Sequence, residues 1–168
     1  MLRWPWVVLT LLSGAMPIAF AQQNPATTAT VTTACTFQDE KQMSLRYEPP
    51  ALAKGKDLPQ GALWPASGSP MYLFTQTEIT VGGSELAPGA YSLYVIPGKK
   101  TWTLIVNKSV TAGAPYDQQQ DLVRAPMEAD SLTEPQPFEI ALGHTAPQEC
   151  SMRVYAGKAG GWVVFKER

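Results

Sequence analysis

The sequence predicts an all-β fold: an antiparallel β-sandwich or jelly-roll-like single domain of about nine short strands. Short runs in which apolar and polar residues alternate recur along the chain, and this period of two is typical of half-buried strands. The chain also contains 13 glycines and 15 prolines, many of them between those runs, where they mark turns. No stretch longer than about two turns shows helical periodicity.

The first two predicted strands lie on either side of a long loop. Apolar and polar residues alternate over 42–48, and a proline pair ends that run. The segment 51–70 is rich in Lys, Gly and Pro and is predicted to be a loop. A second strand follows over 71–75, in which Tyr72 and Phe74 share a face.

The most strongly patterned stretch, 79–107, reads as strand, turn, strand, turn, strand. Gly82 and Gly83 separate two short apolar runs, and a glycine pair suits the positive φ angles of a tight hairpin. Two Pro-Gly pairs mark the later turns. The runs 91–96 and 102–107 alternate clearly, as expected for central strands of an antiparallel sheet.

Weaker strand signals follow this stretch. Residues 109–120 show no periodicity, and loops of such length tend to be functional or mobile. Short strands are predicted over 122–127 and 138–142. The chain is then expected to finish as a hairpin, with strands at 152–155 and 162–166 around a glycine-rich turn.

The sequence of the central stretch resembles the sequences of a known family. The runs VGGSELAPGAYSLYVIPGKKTWTLIVNK and YDQQQDLVRAPM, within 79–127, are similar to the motifs of the bacterial DUF2911 family, a domain of unknown function. The resemblance implies a β-rich extracytoplasmic domain and brings no activity with it. The residues that carry it are Gly83, Leu86, Gly89, Tyr91, Leu93, Ile96, Pro97, Gly98, Trp102, Thr103, Ile105, Asn107, Lys108, Tyr116, Asp117, Asp121, Leu122 and Arg124.

The chain departs from the family pattern before this stretch. Many members carry a W-R-x-G-A-N-E-like segment there, whereas Trp64 is followed here by PASGSPMYLF. The Arg, Asn and Glu of that segment, which would be the natural polar site candidates, are therefore absent from this chain.

The N-terminal segment has the features of a secretory signal peptide over 1–21. A positive residue, Arg3, precedes an apolar stretch, and a small-x-small cleavage site ends it. The alternative, an uncleaved membrane anchor, is disfavoured because the apolar stretch is short and Pro17 interrupts it. A Thr/Ala/Gln-rich leader is expected over 22–34, followed by the folded domain over 35–168. The protein is thus expected to be periplasmic or secreted, with no membrane span after signal cleavage.

Charge and motif content exclude several classes of function. The formal net charge is −1 and no basic run occurs, which argues against a nucleic-acid partner. No phosphate-binding loop, dinucleotide-binding fingerprint or calcium-binding loop appears, so no cofactor is expected. The sequence does not exclude a pair of catalytic carboxylates of the kind used in glycoside hydrolysis, because such residues are close in space and not in sequence.

Cys35 and Cys150 are the only cysteines, one near each end of the predicted domain. An exported protein with two cysteines usually pairs them, and a disulfide is therefore predicted. The alternative is a reactive thiol or a metal ligand. No second Cys or His lies near either residue at ligand spacing, which favours the structural bridge.

His144 is the only histidine. A typical catalytic zinc site needs two or three imidazoles, so no metal site is expected. As a catalytic base His144 would need a nucleophile, and no G-x-S-x-G motif occurs. Its place in a predicted turn before Cys150 favours a structural or solvent-facing role over catalysis.

Asp117, Asp121 and Arg124, with Tyr116 beside them, form a second candidate site. The planar arginine fork pairs bidentately with a carboxylate, either on one of these aspartates or on a ligand. The favoured interpretation is an ion pair that fastens the loop 109–120 to the sheet. The alternative is an anion or peptide-terminus site. Under the first interpretation, Arg124→Ala is expected to lower the melting temperature.

Aromatic side chains suggest a third candidate site, since exposed aromatic rings on a sandwich face stack on sugar rings. Most of the aromatic residues alternate with small polar residues, as core positions do, and core packing is expected for them. Tyr94, on the mixed face of its strand, and Trp64, in a Pro/Gly-rich loop, are the two expected to be exposed.

These features favour an exported β-sandwich module of the cell envelope that has a binding or structural role rather than an enzymatic one. The expected partner is an envelope protein, a glycan or a small ligand. The alternative is a hydrolase whose carboxylate- or His144-based site is assembled only in the fold. A pocket that gathers His144 with acidic residues would favour the hydrolase, whereas exposed aromatic residues would favour the binding module.

Overall fold

The computed structural model of the protein describes residues 29–50, 52, 55–65 and 70–168. The predicted signal peptide, 1–21, lies outside these residues, as does most of the predicted leader, 22–34. The first strand begins at Val31, inside the predicted leader, because its Thr- and Val-rich sequence pairs with the next strand. Strand formation therefore starts four residues before Cys35, the expected start of the folded domain.

Within the described residues the chain forms nine strands and a single 3₁₀ turn. They are β1 (Val31–Thr36), β2 (Gln42–Tyr47), β3 (Met71–Thr75), β4 (Ile79–Val81), β5 (Ser84–Leu86), β6 (Gly89–Ile96), β7 (Thr101–Asn107), the 3₁₀ turn (Gln118–Gln120), β8 (Asp121–Ala146) and β9 (Glu149–Glu167).

All strand pairs are antiparallel, and the order across the sheet is β1-β2-β3-β6-β7-β8-β9-β4-β5. The predicted all-β antiparallel fold with about nine strands is thus confirmed. The two separate sheets of a sandwich or jelly roll are not confirmed, since every strand belongs to one continuous sheet.

The hairpin between β4 and β5 has the predicted two-residue turn. Gly82 and Gly83 have φ angles of 56° and 82°, the left-handed values that a type I′ turn needs. A β-carbon at Gly82 would lie 2.5 Å from that of Ala125, so the glycine also lets this hairpin approach β8 closely. Local turn chemistry and packing thus require the same residue.

Strands β8 and β9 are longer than predicted. The runs 122–127 and 138–142 are two parts of β8, and the predicted final hairpin is wrong because 149–167 form one strand. The prolines between the two parts of β8 sit at register irregularities flanking Gln136, where a missing N–H costs no ladder bond. The glycine-rich segment of β9 continues the pairing opposite these irregularities instead of turning back.

The sheet wraps around its core, so that β1 meets the second part of β8 although four strands lie between them in the sheet order. The backbone N–H of Leu142 donates to Thr33 Oγ1 at 3.1 Å. A disulfide between Cys35 and Cys150 joins β1 to β9, with the two Cα atoms 6.2 Å apart, which confirms the predicted bridge.

The enclosed core consists of the apolar positions that alternate along the strands. Its largest fully buried side chains are Trp102, Phe165, Met43, Leu45, Met71, Leu73, Ile79, Leu86, Leu93, Leu104 and Met127. The opposite face of β2, β3, β6 and β7 is called the outer face below. It is defined by the cross-strand neighbours Arg46, Tyr72, Ser92 and Asn107.

Tyr47→Phe should lower the free energy of unfolding by about 1–3 kcal/mol, because it leaves a buried N–H without a partner. The Tyr47 hydroxyl accepts a hydrogen bond from the Ile140 N–H at 3.1 Å, on the edge of β8 that pairs with no strand. Urea unfolding measures the loss. Tyr155→Phe is the matched control, since the Tyr155 hydroxyl makes no hydrogen bond to the described residues. Equal stabilities of the two variants would contradict this role of Tyr47.

Candidate functional site

The loop between β7 and β8, residues 108–120, begins and ends at one cross-strand pair, Asn107 and Asp121. Asn107 is 1% exposed. Its Nδ2 donates to Asp121 Oδ1 and to the Asp117 carbonyl oxygen, both at 2.8 Å. Its Oδ1 accepts from the Ser109 N–H at 2.9 Å. A single buried amide therefore holds together the two ends of the loop.

The Asp121 carboxylate is the centre of this arrangement. Its Oδ2 accepts from the Tyr116 hydroxyl at 2.6 Å and from Arg124 Nε at 2.9 Å. Arg124 Nη2 in turn donates to the Tyr116 hydroxyl at 2.7 Å. We call Asn107, Tyr116, Asp121 and Arg124 the Asp121 cluster. Arg124 and Asp121 thus form one of the ion pairs that the sequence left open, through Nε alone rather than through the bidentate fork.

Asp117 does not take part in this ion pair. It caps the 3₁₀ turn that follows it, with Oδ2 accepting from Gln120 Nε2 at 3.1 Å and Oδ1 from the Gln119 N–H at 2.9 Å. The hydrogen bond from the Gln120 side chain, followed by that from the Gln119 backbone, lowers the pKa of Asp117. The sequence candidates Asp117 and Asp121 thus have separate structural roles.

The expectation that Tyr94 is exposed is wrong, since only 6% of it is accessible. The ring of Tyr116 packs edge-on against that of Tyr94, with centroids 4.9 Å apart, because the β7–β8 loop covers this part of the outer face. Trp64 is half-buried rather than fully exposed: its backbone bridges Val95 and its ring lies 4.7 Å from that of Phe138. Neither residue presents a free aromatic face of the kind expected.

Tyr116 resists deprotonation. Burial, followed by the hydrogen bond to Asp121, raises the pKa of Tyr116 to about 12, while Arg124 acts in the opposite direction. A phenol that donates to a carboxylate loses that bond on ionisation and would leave two negative groups in contact. The neutral phenol is therefore the form that the Asp121 cluster holds.

Tyr116 should make the stability of the protein fall at alkaline pH. Its pKa rises from 10.0 to about 12 on folding, so its contribution is complete below pH 10 and is lost as the pH rises through 12. Tyrosinate absorbance of the native protein, compared with that of Tyr116→Phe, should show that the variant lacks one group that titrates near pH 12. Equal absorbance changes of the two proteins in this pH range would contradict the described hydrogen bond to Asp121.

His144 lies apart from the other candidates. It is exposed on β8, opposite Cys150, and its Nε2 is 3.5 Å from the Pro147 carbonyl oxygen. The structure brings no acidic side chain into hydrogen-bond contact with it in the described part of the chain.

The described residues also contain no group of three or more His, Cys, Asp or Glu placed to hold a metal ion. Among the same residues, no helix has the length and apolarity needed to span a bilayer.

A second feature of the outer face, which we call the outer groove, was not predicted. It is a depression of about 420 Å³ between strands β2, β3 and β6 and the β7–β8 loop. Phe74, in β3, is 43% exposed there, and Val110, in the β7–β8 loop, is 44% exposed. Side chains that line the groove include Arg46, Glu48, Tyr72, Phe74, Val110 and Ala112.

The outer groove and the Asp121 cluster are connected by one row of cross-strand neighbours. Arg46 lies opposite Tyr72, and Tyr72 lies opposite Ser92. Ser92 lies opposite Asn107, which belongs to the Asp121 cluster. The same β7–β8 loop that the cluster fastens at its base supplies one wall of the groove. The cluster thus positions this wall.

Part of the groove was visible in the sequence. The alternation over 71–75 predicts that Tyr72 and Phe74 share a face, and they do. Phe74 lies opposite Ala90, whose small side chain leaves the phenyl ring uncovered. The other wall comes from a loop without periodicity, and no local pattern predicts where such a loop lies.

Comparison with known proteins gives a family and no activity. Residues 25–158 match the family model described as a protein of unknown function (DUF2911). No curated protein and no solved structure matches the chain. The family match covers most of the chain and reaches well beyond 79–127, where the motif resemblance lies. The protein therefore belongs to the DUF2911 family.

Proposed function

We propose that this protein is an exported, non-enzymatic binding module of the bacterial cell envelope, and that its ligand occupies the outer groove. The observation that carries the proposal is the pair of exposed apolar walls formed by Phe74 and Val110. Concave sites with apolar linings and a few polar groups are the usual form of ligand sites, and their volumes of about 300–1,000 Å³ include this one.

Two charged side chains line the groove. They are Arg46, in β2, and Glu48, directly after the end of β2. Neither forms an ion pair within the described residues. A charged group without an internal partner beside an apolar wall is available to orient a polar ligand.

Export is supported by the features of the N-terminus together with the disulfide. Disulfides persist in oxidising compartments such as the periplasm and the extracellular space. The bridge between Cys35 and Cys150 is compatible with such a compartment. The hydrolase alternative has no comparable support, because His144 and the Asp121 cluster lie apart and no observation joins them into one site.

A thermal-shift screen of the mature, oxidised protein tests the proposal. The panel contains glycans, peptides, lipids and divalent metal ions. A ligand present at a hundred times its Kd stabilises the protein by about 2.7 kcal/mol, which shifts the melting temperature by several degrees.

A pair of variants tests whether a ligand found in the screen binds in the groove. Phe74→Ser should abolish the shift, whereas Leu122→Ser, which changes an equally exposed apolar residue outside the groove, should keep it. A shift that survives Phe74→Ser would place the ligand elsewhere and count against the proposal. Hydrolysis of any glycan or peptide during the screen would contradict its non-enzymatic part.

A further inference from the structure

We propose that the outer groove binds a neutral sugar ring of a glycan, stacked on Tyr72 and Phe74 and oriented by Arg46 and Glu48. This inference rests on the proposed binding function and names its ligand class. Its four supports are the aromatic platform, the balance of charge, the position of the groove on the sheet, and an unpaired hydroxyl.

Tyr72 and Phe74 form the platform. They are two residues apart on β3, so their side chains leave the same face about 7 Å from each other. Aromatic rings are amphipathic surfaces, and a pyranose ring presents apolar C–H groups on its faces and hydroxyl groups around its edge. Two neighbouring rings, one of them 43% exposed, suit the flat face of such a ligand.

The polar groups of the groove favour a neutral ligand that both donates and accepts hydrogen bonds. Arg46 offers only donors and the Glu48 carboxylate only acceptors. Their opposite charges cancel within the groove, so neither an anion nor a cation is favoured overall. Sugar hydroxyl groups, each a donor and an acceptor, can use both side chains at once.

The position of the groove argues against a peptide added as a strand. Strands β2, β3 and β6 are all internal in the sheet order, so their backbone groups already pair with neighbouring strands. Strand addition requires a free sheet edge. A ligand on this face is therefore held by side chains alone, as in aromatic stacking.

The Tyr72 hydroxyl group gives a fourth indication. It is buried and has no hydrogen-bond partner in the described part of the chain, although Tyr72 lines the groove. An unpaired buried hydroxyl destabilises the free protein and normally has a reason to be present. A ligand hydroxyl that meets it after a small movement of the ring would satisfy it.

Nuclear magnetic resonance titration with chitotriose, cellotriose and maltotriose tests the proposal on the mature, oxidised, ¹⁵N-labelled protein. Binding should shift the amide signals of 44–48, 72–74 and 110–112. Phe74→Ser should weaken the binding by about tenfold, the effect of one lost aromatic contact. Leu122→Ser, the matched control, should bind as the wild type does. Val110→Ser, in the β7–β8 loop, provides a second test if Phe74→Ser fails to fold.

Tyr72→Phe separates a ligand-binding hydroxyl group from a structural one. The variant should bind the sugar several-fold more weakly while its stability stays equal to or above that of the wild type, because only an unpaired group is removed. Lower stability with unchanged sugar affinity would show that the hydroxyl is structural and remove this support.

Other outcomes would overturn the proposal as a whole. If none of the sugars shifts these signals while a peptide or lipid from the thermal-shift panel does, the ligand class is wrong and the binding function stands. If the wild type is a dimer that Phe74→Ser converts to a monomer, a second copy occupies the groove. If sugars shift signals only outside the groove, both the site and the proposed function are wrong.

Discussion

Replacing both Cys35 and Cys150 by alanine should lower the free energy of unfolding by up to about 5 kcal/mol, a large part of the 5–15 kcal/mol typical of a whole domain. The two residues are 115 positions apart, so the bridge closes a loop that spans almost the whole folded chain. In the chain-entropy model such a long loop restricts the unfolded state strongly. The bridge also fastens β1, most of whose residues are exposed.

Urea unfolding of the oxidised protein and of the double variant measures this loss. The wild type treated with a reductant should unfold at the same urea concentration as the double variant, which separates the effect of the bridge from that of the substituted side chains. A loss below about 1 kcal/mol would mean that the hydrogen bond between Thr33 and Leu142 and the pairing with β2 hold β1 in place without the bridge.

The parts of the fold that follow from local chemistry were predictable from the sequence. The turn at Gly82 and Gly83 needs positive φ angles, and the strands on both sides of it alternate with period two. The disulfide followed from the number of cysteines and the expected compartment. In each of these cases residues near in sequence, or a simple count, contain the physical reason.

The long strands β8 and β9 were not predictable in this way. Prolines and glycines normally interrupt strands, so the glycine-rich segment 157–161 was predicted to be a turn, and no strand was predicted across the prolines of 135–137. The structure places both segments opposite each other in one ladder, where register irregularities accommodate the prolines. Pairing between residues that are distant in sequence decides such cases, and a local pattern contains no information about the partner.

The candidate site likewise has a part that the local sequence predicts and a part that it does not. Asp121 and Arg124 are three positions apart in sequence, and their ion pair is one of the pairings that the arginine fork left open. The burial of Tyr94 depends on where the β7–β8 loop lies, and the outer groove depends on the same loop. The exposed aromatic surface is therefore at Phe74, which the sequence marked only as one member of an alternating strand.

Asp121→Ala should cost about 3 kcal/mol of stability, because one nearly buried carboxylate satisfies donors from three different side chains. Its removal leaves the buried Nδ2 of Asn107 with only one acceptor, and the Tyr116 hydroxyl group loses its own acceptor. Arg124→Ala should cost less, about 1–2 kcal/mol, since the arginine side chain is 39% exposed and the other two donors stay paired with the carboxylate. Urea unfolding of both variants checks the order of these losses.

Asp117→Ala is the control for Asp121→Ala, as it removes an aspartate from the same loop that only caps a 3₁₀ turn. A loss of about 1 kcal/mol is expected for it. If Asp121→Ala costs no more than this, the Asp121 cluster does not hold the loop. If it does hold the loop, Asp121→Ala should also weaken any ligand of the outer groove, because Val110 and Ala112 form its wall on that loop. Asp121 does not itself line the groove. Loss of binding in Asp121→Ala would therefore show that the Asp121 cluster maintains the shape of the groove.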